Sequence, residues 1–387
     1  MDRILGQPQA VDVLQTQLAS GRLHHAFIFH GPAGVGKFTT AIALARVLLC
    51  HDPVRDLAGR LAACGSCPSC RLMSQASEGA ADDAGTATGD EAPGLESADF
   101  AAGAHPDLHV VTKELARYHD DKRIRDRKLT QIPVEVLRDT LLEPAYRAAA
   151  LNHGKVFIVD EAELLNPTGQ NLLLKTLEEP PAGTTLVLVT SSEDRLLPTI
   201  RSRCQRVAFV PLADEVVVQW LARAAPGMDE PERARVAAVA SGSIGRAAMA
   251  AAYGLGEWVD VIDRQLADMA AAKPSGTLGG AMAERIDGFA QTWVKRHANA
   301  SKEAANRLGA EQLFAVLAGY ARQRLHGAAG RADGADADEL ERWVAVIDAV
   351  QEARGMLDAN VNLALVCDDL ALRVAEALGA FATPPQR

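Results

Sequence analysis

Apolar residues fall into two regimes along the chain. Through the first 210 residues, short and almost uninterrupted apolar runs recur: AFIFH from Ala26, DLHVV from Asp107, KVFIVD from Lys155 and TTLVLVT from Thr184. Strands buried on both faces of a parallel sheet read this way, because helices cover each side and no face is left for polar residues. Between the runs, AVDVLQTQL and TTAIALARVLL space their apolar residues three and four apart, as one face of a helix requires. The alternation predicts a doubly wound α/β unit with its ligand at the carboxyl ends of the strands.

After Pro211 the runs stop. Helical spacing takes over from DEVVVQWLARAA through ERARVAAVASG to the terminus, which predicts a change of domain to an all-α region. Gly and Pro cluster at AAAKPSGTLGG and in GAAGRADGADAD, marking turns between those helices. One stretch fits neither regime: Ser74 to Ala104 holds seven acids and no Lys or Arg, and its composition predicts a disordered insertion.

A chain of 387 residues suits two or three domains, and 48% hydrophobic with 23% charged residues is ordinary for a globular protein. A formal net charge of -10 excludes a global positive field that would draw the protein to nucleic acid, so any DNA contact must be local. MDRILGQPQAVDVLQ has no apolar core behind a basic start, and no apolar run is long enough to span a bilayer. The expectation is a soluble, cytoplasmic protein.

The first candidate chemistry is GPAGVGK, formed by Gly31, Pro32, Ala33, Gly34, Val35, Gly36 and Lys37. It follows a strand and opens a helix, the setting in which backbone N–H groups and a helix N-terminus cradle phosphate while the lysine reaches the β- and γ-phosphates. The next position ordinarily supplies the hydroxyl that ligates magnesium, and here it is Phe38. Thr39 and Thr40 follow, but each helical step turns the side chain by about 100°, so neither simply replaces that hydroxyl. The loop therefore keeps the parts that bind ATP and lacks one that positions Mg for hydrolysis. The strand ending in VFIVDE delivers Asp160, placed to hold magnesium through water, and Glu161, placed to polarise an attacking water.

Four of the six cysteines form a second candidate. Cys50, Cys64, Cys67 and Cys70, spaced C-x13-C-x2-C-x2-C, can converge tetrahedrally on a structural zinc ion, with His51 as an alternative ligand. Four protein ligands leave no open position for catalysis. Cys204 and Cys367 stand outside the group and read as packing residues.

Taken together, HHAFIFHGPAGVGK, CGSCPSC, HPDLHVV, KVFIVDEAELLN, the helix QNLLLKTLEEPP and VLVTSSEDRLLPTIRSRC resemble the clamp-loader branch of the AAA+ ATPases. The resemblance covers most of the chain. It implies an α/β AAA+ P-loop domain with a parallel sheet over residues 1–210, carrying the zinc module at 50–70 and the insertion at 74–104. A small helical lid over 211–253 and an all-α collar over 254–387 would follow. The collar expectation rests on ERWVAVIDAVQEARGMLDANVNLALVCDDL, whose Val344, Ile347, Val350 and Leu357 recur at helical spacing. Within the family, the Ser-Arg-Cys motif implies that Arg203 is an arginine finger completing the ATP site of a neighbouring subunit. Thr190 and Ser191 fall at the first sensor and Arg246 at the second.

The implied partners are gamma/tau-type and delta subunits in a hetero-oligomeric ring, and through the ring the sliding clamp and primed DNA. Phe38 points to a ring-completing subunit that donates Arg203. The shortness of the chain beyond the collar stretch points the same way. The alternatives are a hydrolysing gamma/tau-type motor, for which Lys37 and the acidic pair survive, and a stand-alone zinc-containing P-loop ATPase.

Overall fold

The computed structural model describes residues 4–56, 59–74, 105–126, 130–270, 278–297, 301–329 and 336–379. The acidic stretch beyond Ser74 lies outside the described residues. The chain forms two compact units, Met1–Ala213 and Asp214–Arg387.

The first unit is built on a five-stranded sheet in which every pairing is parallel: β1 (Ala26–His30), β4 (Leu108–Val111), β5 (Lys155–Val159), β6 (Thr184–Thr190) and β7 (Gln205–Ala208), in the spatial order β4-β5-β6-β1-β7. A separate antiparallel pair is made by β2 (Val54–Arg55) and β3 (Leu61–Ala62). All five residues of β5 and all seven of β6 are buried. Phe27, Ile28, Phe157, Val159 and Leu188 are fully enclosed. Each such side chain contributes about 1.5–3 kcal/mol on burial, so the sheet centre is the main source of this unit's stability.

Three helices of this unit matter to the site: α1 (Pro8–Ser20), α2 (Lys37–Leu48) and α3 (Pro167–Glu178), with a single turn, α4 (Pro198–Arg201), leading toward β7. Helix α1 starts on Pro at its first turn and stops at Gly21, whose φ of 66° ends the helix in the left-handed conformation. Asn166 caps α3 by accepting the Gly169 N–H at 2.8 Å, a contact that contributes about 1 kcal/mol. Leu173 and Leu177 of α3 pack into the core under β5 and β6.

The four expected strands form, with Asp107 falling just outside its strand. Its carboxylate instead accepts the N–H groups of Ala150 and Leu151 at 2.6 and 2.9 Å, joining the segment before β4 to the turn before β5. Between β4 and β5 the described residues form two short helical turns and then a continuous helical stretch over 134–145, whose middle residues Arg138–Leu142 widen to a π-helix.

The second unit is all helical, with α5 (Asp214–Ala224), α6 (Glu230–Ala240), α7 (Ile244–Tyr253), α8 (Gly256–Ala270), α9 (Leu278–Arg296), α10 (Lys302–Ala329), α11 (Ala337–Asp358) and α12 (Leu363–Ala377). Helix α10 is its axis, with Leu313, Phe314, Val316, Leu317 and Ala321 all buried. Gly319 allows the close approach of α6, since a Cβ there would stand 3.1 Å from the Val239 Cα. Two expectations change. The LGG of the predicted turn AAAKPSGTLGG is the first turn of α9, and its residues 271–277 lie outside the described residues. The buried stripe of α11 is Val346, Ala349, Val350, Ala353 and Leu357, while Val344 is exposed. The helical period was correct, but its phase near Trp343 sits toward solvent.

Among the described residues, no helix is long and apolar enough to cross a membrane. Cys367 is fully buried and Cys204 packs against the sheet core, and burial pushes their thiols up to about 11 and about 12 respectively.

Gly31 fixes how the first strand is followed. Its φ is 138°, and a Cβ there would meet the Phe209 carbonyl oxygen at 2.2 Å. Gly31→Ala is expected to cost about 3 kcal/mol of stability, because backbone strain and a backbone clash coincide. Urea unfolding of the two proteins measures it; equal midpoints would contradict this packing.

Candidate functional site

The phosphate-loop motif lies at the carboxyl end of β1, between β6 and the edge strand β7. Gly31, Gly34 and Gly36 all take positive φ, at 138°, 73° and 99°, which turns successive peptide groups along the loop. Gly36 is the N-cap of α2. Gln7 anchors the loop from outside: its side-chain amide donates to the Val35 carbonyl at 3.2 Å and to the Val210 carbonyl at 2.7 Å. Val35 is buried, and Pro32, Ala33 and Gly34 are open to solvent in part or fully.

Lys37 does not extend into solvent. It is 5% exposed, and its Nζ donates to the carbonyls of Gly31 and Pro32, both at 2.6 Å. Burial brings its ammonium down to about 8, opposed by the negative charges of Glu163 and then Asp160. Phe38 is half-buried, Thr39 is exposed, and Thr40 is buried with its hydroxyl donating to the Gly36 carbonyl at 2.8 Å. Thr40 is thus committed to its own helix turn.

The acidic pair stands at the end of β5, on the same edge of the sheet. The Glu161 N–H donates to Asp160 Oδ1 at 3.0 Å, and Glu161 adopts the left-handed conformation with φ of 48°. Its carboxylate is held by Lys113, with Nζ 2.7 Å from Oε2, so it faces a cation of its own chain. The neighbouring Glu163 accepts from both the N–H and the hydroxyl of Ser191. Thr190 is buried beside His30 across the β1–β6 ladder, and its hydroxyl oxygen accepts the Ser192 N–H at 3.0 Å. Burial lowers the His30 imidazole, which faces Glu193 at 3.7 Å.

Arg203 follows α4. Its guanidinium pairs with Glu178 at 2.7 Å and donates to the Thr199 carbonyl at 3.0 Å, leaving the side chain 36% exposed. Glu178 comes from α3, which makes the LLKTLEEPP segment the support of the Ser-Arg-Cys segment. Arg246 belongs to the second unit, on α7. Burial, then repulsion from Arg322 and Arg354, bring it down to about 10.

The sequence-predicted residues Gly31 to Lys37, Asp160 and Thr190 therefore gather at one sheet edge, with Arg203 elsewhere on the same unit. Lys113, Glu163 and Glu178 were not singled out by sequence. Glu178 and Glu163 lay inside quoted motifs, while Lys113 follows β4 without any local pattern.

The four cysteines converge. Their Sγ atoms all lie within 4.8 Å of one another, with Cys50–Cys67 at 4.0 Å and Cys64–Cys70 at 3.9 Å. Backbone N–H groups of Cys64, Ser66, Cys67 and Cys70 point at the sulfurs, favouring thiolates. The Ser66 and Cys67 N–H groups bring the Cys64 thiol down to about 6, while burial pushes Cys70 up to about 12. The set can hold a metal ion. His51 lies beside His153 with ring centroids 5.1 Å apart, outside the four-sulfur group.

A family profile described as DNA polymerase III, delta subunit, matches residues 6–213. The DNA polymerase III subunit delta' of Pseudomonas aeruginosa is 36% identical over 222 residues, covering 57% of this chain and 53% of that protein. Its Escherichia coli counterpart is 31% identical over 204 residues, covering 53% and 48%. The DNA polymerase III subunit gamma/tau of Mycobacterium bovis is 30% identical over 222 residues, covering 57% and 30%. The chain spans about half the length of the delta' relatives it matches. Among solved structures, a DNA polymerase III gamma subunit-related protein of Thermotoga maritima aligns at 16% identity and a TM-score of 0.37, covering 95% of this chain and 99% of that one.

Metal analysis of the purified protein is expected to find a bound ion that Cys64→Ser and Cys67→Ser remove, with a lower Tm in the presence of a chelator. A metal-free, fully folded protein with four titratable thiols would contradict the site.

Proposed function

The chain belongs to the family described as DNA polymerase III, delta subunit, and from that premise we propose that it takes the delta-prime part in a bacterial clamp loader. In this reading it joins gamma/tau and delta subunits in a hetero-oligomeric ring in the cytoplasm and assists ATP-dependent loading of the sliding clamp on primed DNA. Residues 211–253 act as the lid and 254–387 as the collar through which subunits assemble.

The observation that carries the proposal is the pairing of two features in one chain. Phe38 offers no oxygen to a metal at the chain's own phosphate loop, and Thr40 is turned back onto Gly36. Arg203 stands half-exposed on a supported segment, paired with Glu178. A planar guanidinium moved from Glu178 to the γ-phosphate of an adjacent subunit would offset charge developing there, an effect of ~10³ to 10⁵ in rate for fingers supplied in trans. Glu178 both orders the finger and competes for it.

The residues fit phosphate binding better than hydrolysis. Lys37, the turned glycines and Asp160 would hold an ATP phosphate chain with magnesium, which when bound supplies charge neutralisation. Glu161, held by Lys113, is not free to orient water in this arrangement. Arg246, the second sensor that the resemblance implies, is partly buried near the like charges of Arg322 and Arg354. Zinc fits the four-cysteine set: bonds of about 2.3 Å in a tetrahedron put sulfurs ~3.8 Å apart, close to the spacings of 3.9 and 4.0 Å.

The gamma/tau-type motor is the second reading, favoured by the survival of Lys37 with Asp160 and by the 30% identity to a gamma/tau relative. Robust ATP hydrolysis by the isolated chain, abolished by Lys37→Ala, would establish it.

Replacing Arg203 by Ala in the reconstituted loader is expected to remove the DNA-stimulated ATPase of the adjacent site; undiminished turnover would overturn the finger role. Nucleotide affinity of the isolated chain is expected to hold up to a pH of about 8 and then fall, because above that value the neutral Lys37 amine must take up a proton as it meets phosphate. Titrations with ADP at several pH values check it, and a flat profile between pH 7 and 9.5 would contradict it.

A further inference from the structure

Glu163 stands in the turn after β5, two residues beyond the acid expected to act on water. Its Oε1 accepts the Ser191 N–H at 3.1 Å together with the Ser191 hydroxyl. Its Oε2 is buried and has no hydrogen-bond partner among the described residues. Burying a carboxylate oxygen without a partner is costly unless a nearby positive charge compensates. Among the described residues no ion pair joins Glu163 to Lys37, but the negative charge of Glu163 supports the Lys37 ammonium ahead of that of Asp160.

The sheet brings these groups together. Ser191 follows Thr190, Thr190 lies beside His30 in the β1–β6 ladder, and His30 leads directly into Gly31. The carboxylate is therefore held by the two donors of Ser191 at the strand end beside which the loop opens, and the lysine of such a loop reaches the β- and γ-phosphates.

We propose that Glu163 stands in for the terminal phosphate of a bound nucleotide, so that this loop selects a nucleoside diphosphate over a triphosphate. The inference rests on the phosphate-loop reading proposed above. A γ-phosphate must either displace Glu163 from Ser191 or accept its negative charge at close range. A diphosphate ends short of it and meets only the loop amides and Lys37. The lysine's bonds to the Gly31 and Pro32 carbonyls complete a loop whose charges are balanced before any ligand arrives.

Isothermal titration of the full chain with ADP and with ATP, in magnesium buffer, tests this against Glu163→Gln, which keeps the shape and removes the charge. The wild-type chain is expected to bind ADP more tightly than ATP. In the variant, ATP should tighten by about tenfold while ADP stays unchanged, the effect of removing one like charge from a partly buried site. Ser191→Ala, which loosens the grip and keeps the carboxylate, should move the ratio the same way by less. Equal tightening of both nucleotides, or an unaltered ATP-to-ADP ratio in a variant with wild-type thermal stability, would overturn the proposal. So would the absence of binding by ADP to every one of these proteins, and that outcome alone also removes the phosphate-loop reading. None of these results touches Arg203, because the isolated chain has no neighbouring ATP site.

Discussion

Everything at the loop depends on where the charge of Lys37 is satisfied. A buried ammonium needs partners, and here it has the Gly31 and Pro32 carbonyls, with Glu163 and Asp160 nearby. Because those partners all belong to the chain itself, the loop is electrostatically closed without a ligand. The positive φ of Gly31, the tie from Gln7 and the cap at Gly36 hold the same geometry from the backbone side. A loop so satisfied keeps its geometry without a ligand, and in the proposed reading Phe38 leaves it without the hydroxyl that would position magnesium.

The guanidinium of Arg203 follows the same logic at a different place. Arg203 is not left loose on a surface: Glu178 and the Thr199 carbonyl orient it, and these come from α3 and α4, both packed on the sheet core. An oriented but half-exposed arginine can be exchanged from an internal carboxylate to an external phosphate at little cost in ordering, since its rotamer freedom is already spent. The proposed division of labour, a quiet loop and a presented arginine, is thus consistent with how each cation is held.

Much of this was legible in the sequence, for physical reasons that differ by element. Buried parallel strands need uninterrupted apolar runs, so β1, β4, β5 and β6 could be read directly. QRVA at β7 could not: at the sheet edge only Val207 is fully buried, and a four-residue segment with Gln and Arg has no strand signature. The pair β2–β3 is too short for any periodicity. The phase of α11 was misjudged at Val344 because several apolar residues there offer two adjacent faces, and packing against neighbouring helices decides between them. The phosphate loop and the cysteine set were visible because their chemistry is local in sequence. Lys113 against Glu161, Glu178 against Arg203 and Glu163 against Ser191 span 48, 25 and 28 positions. Such pairings exist only once the sheet has brought the segments together.

The most direct measurement is the rate of clamp loading onto primed DNA by reconstituted rings that carry either Lys37→Ala or Arg203→Ala in this chain. If the chain works on its neighbour's nucleotide, the Lys37 ring keeps loading and the Arg203 ring fails. The reverse order, with Lys37 essential and Arg203 dispensable, would contradict that role.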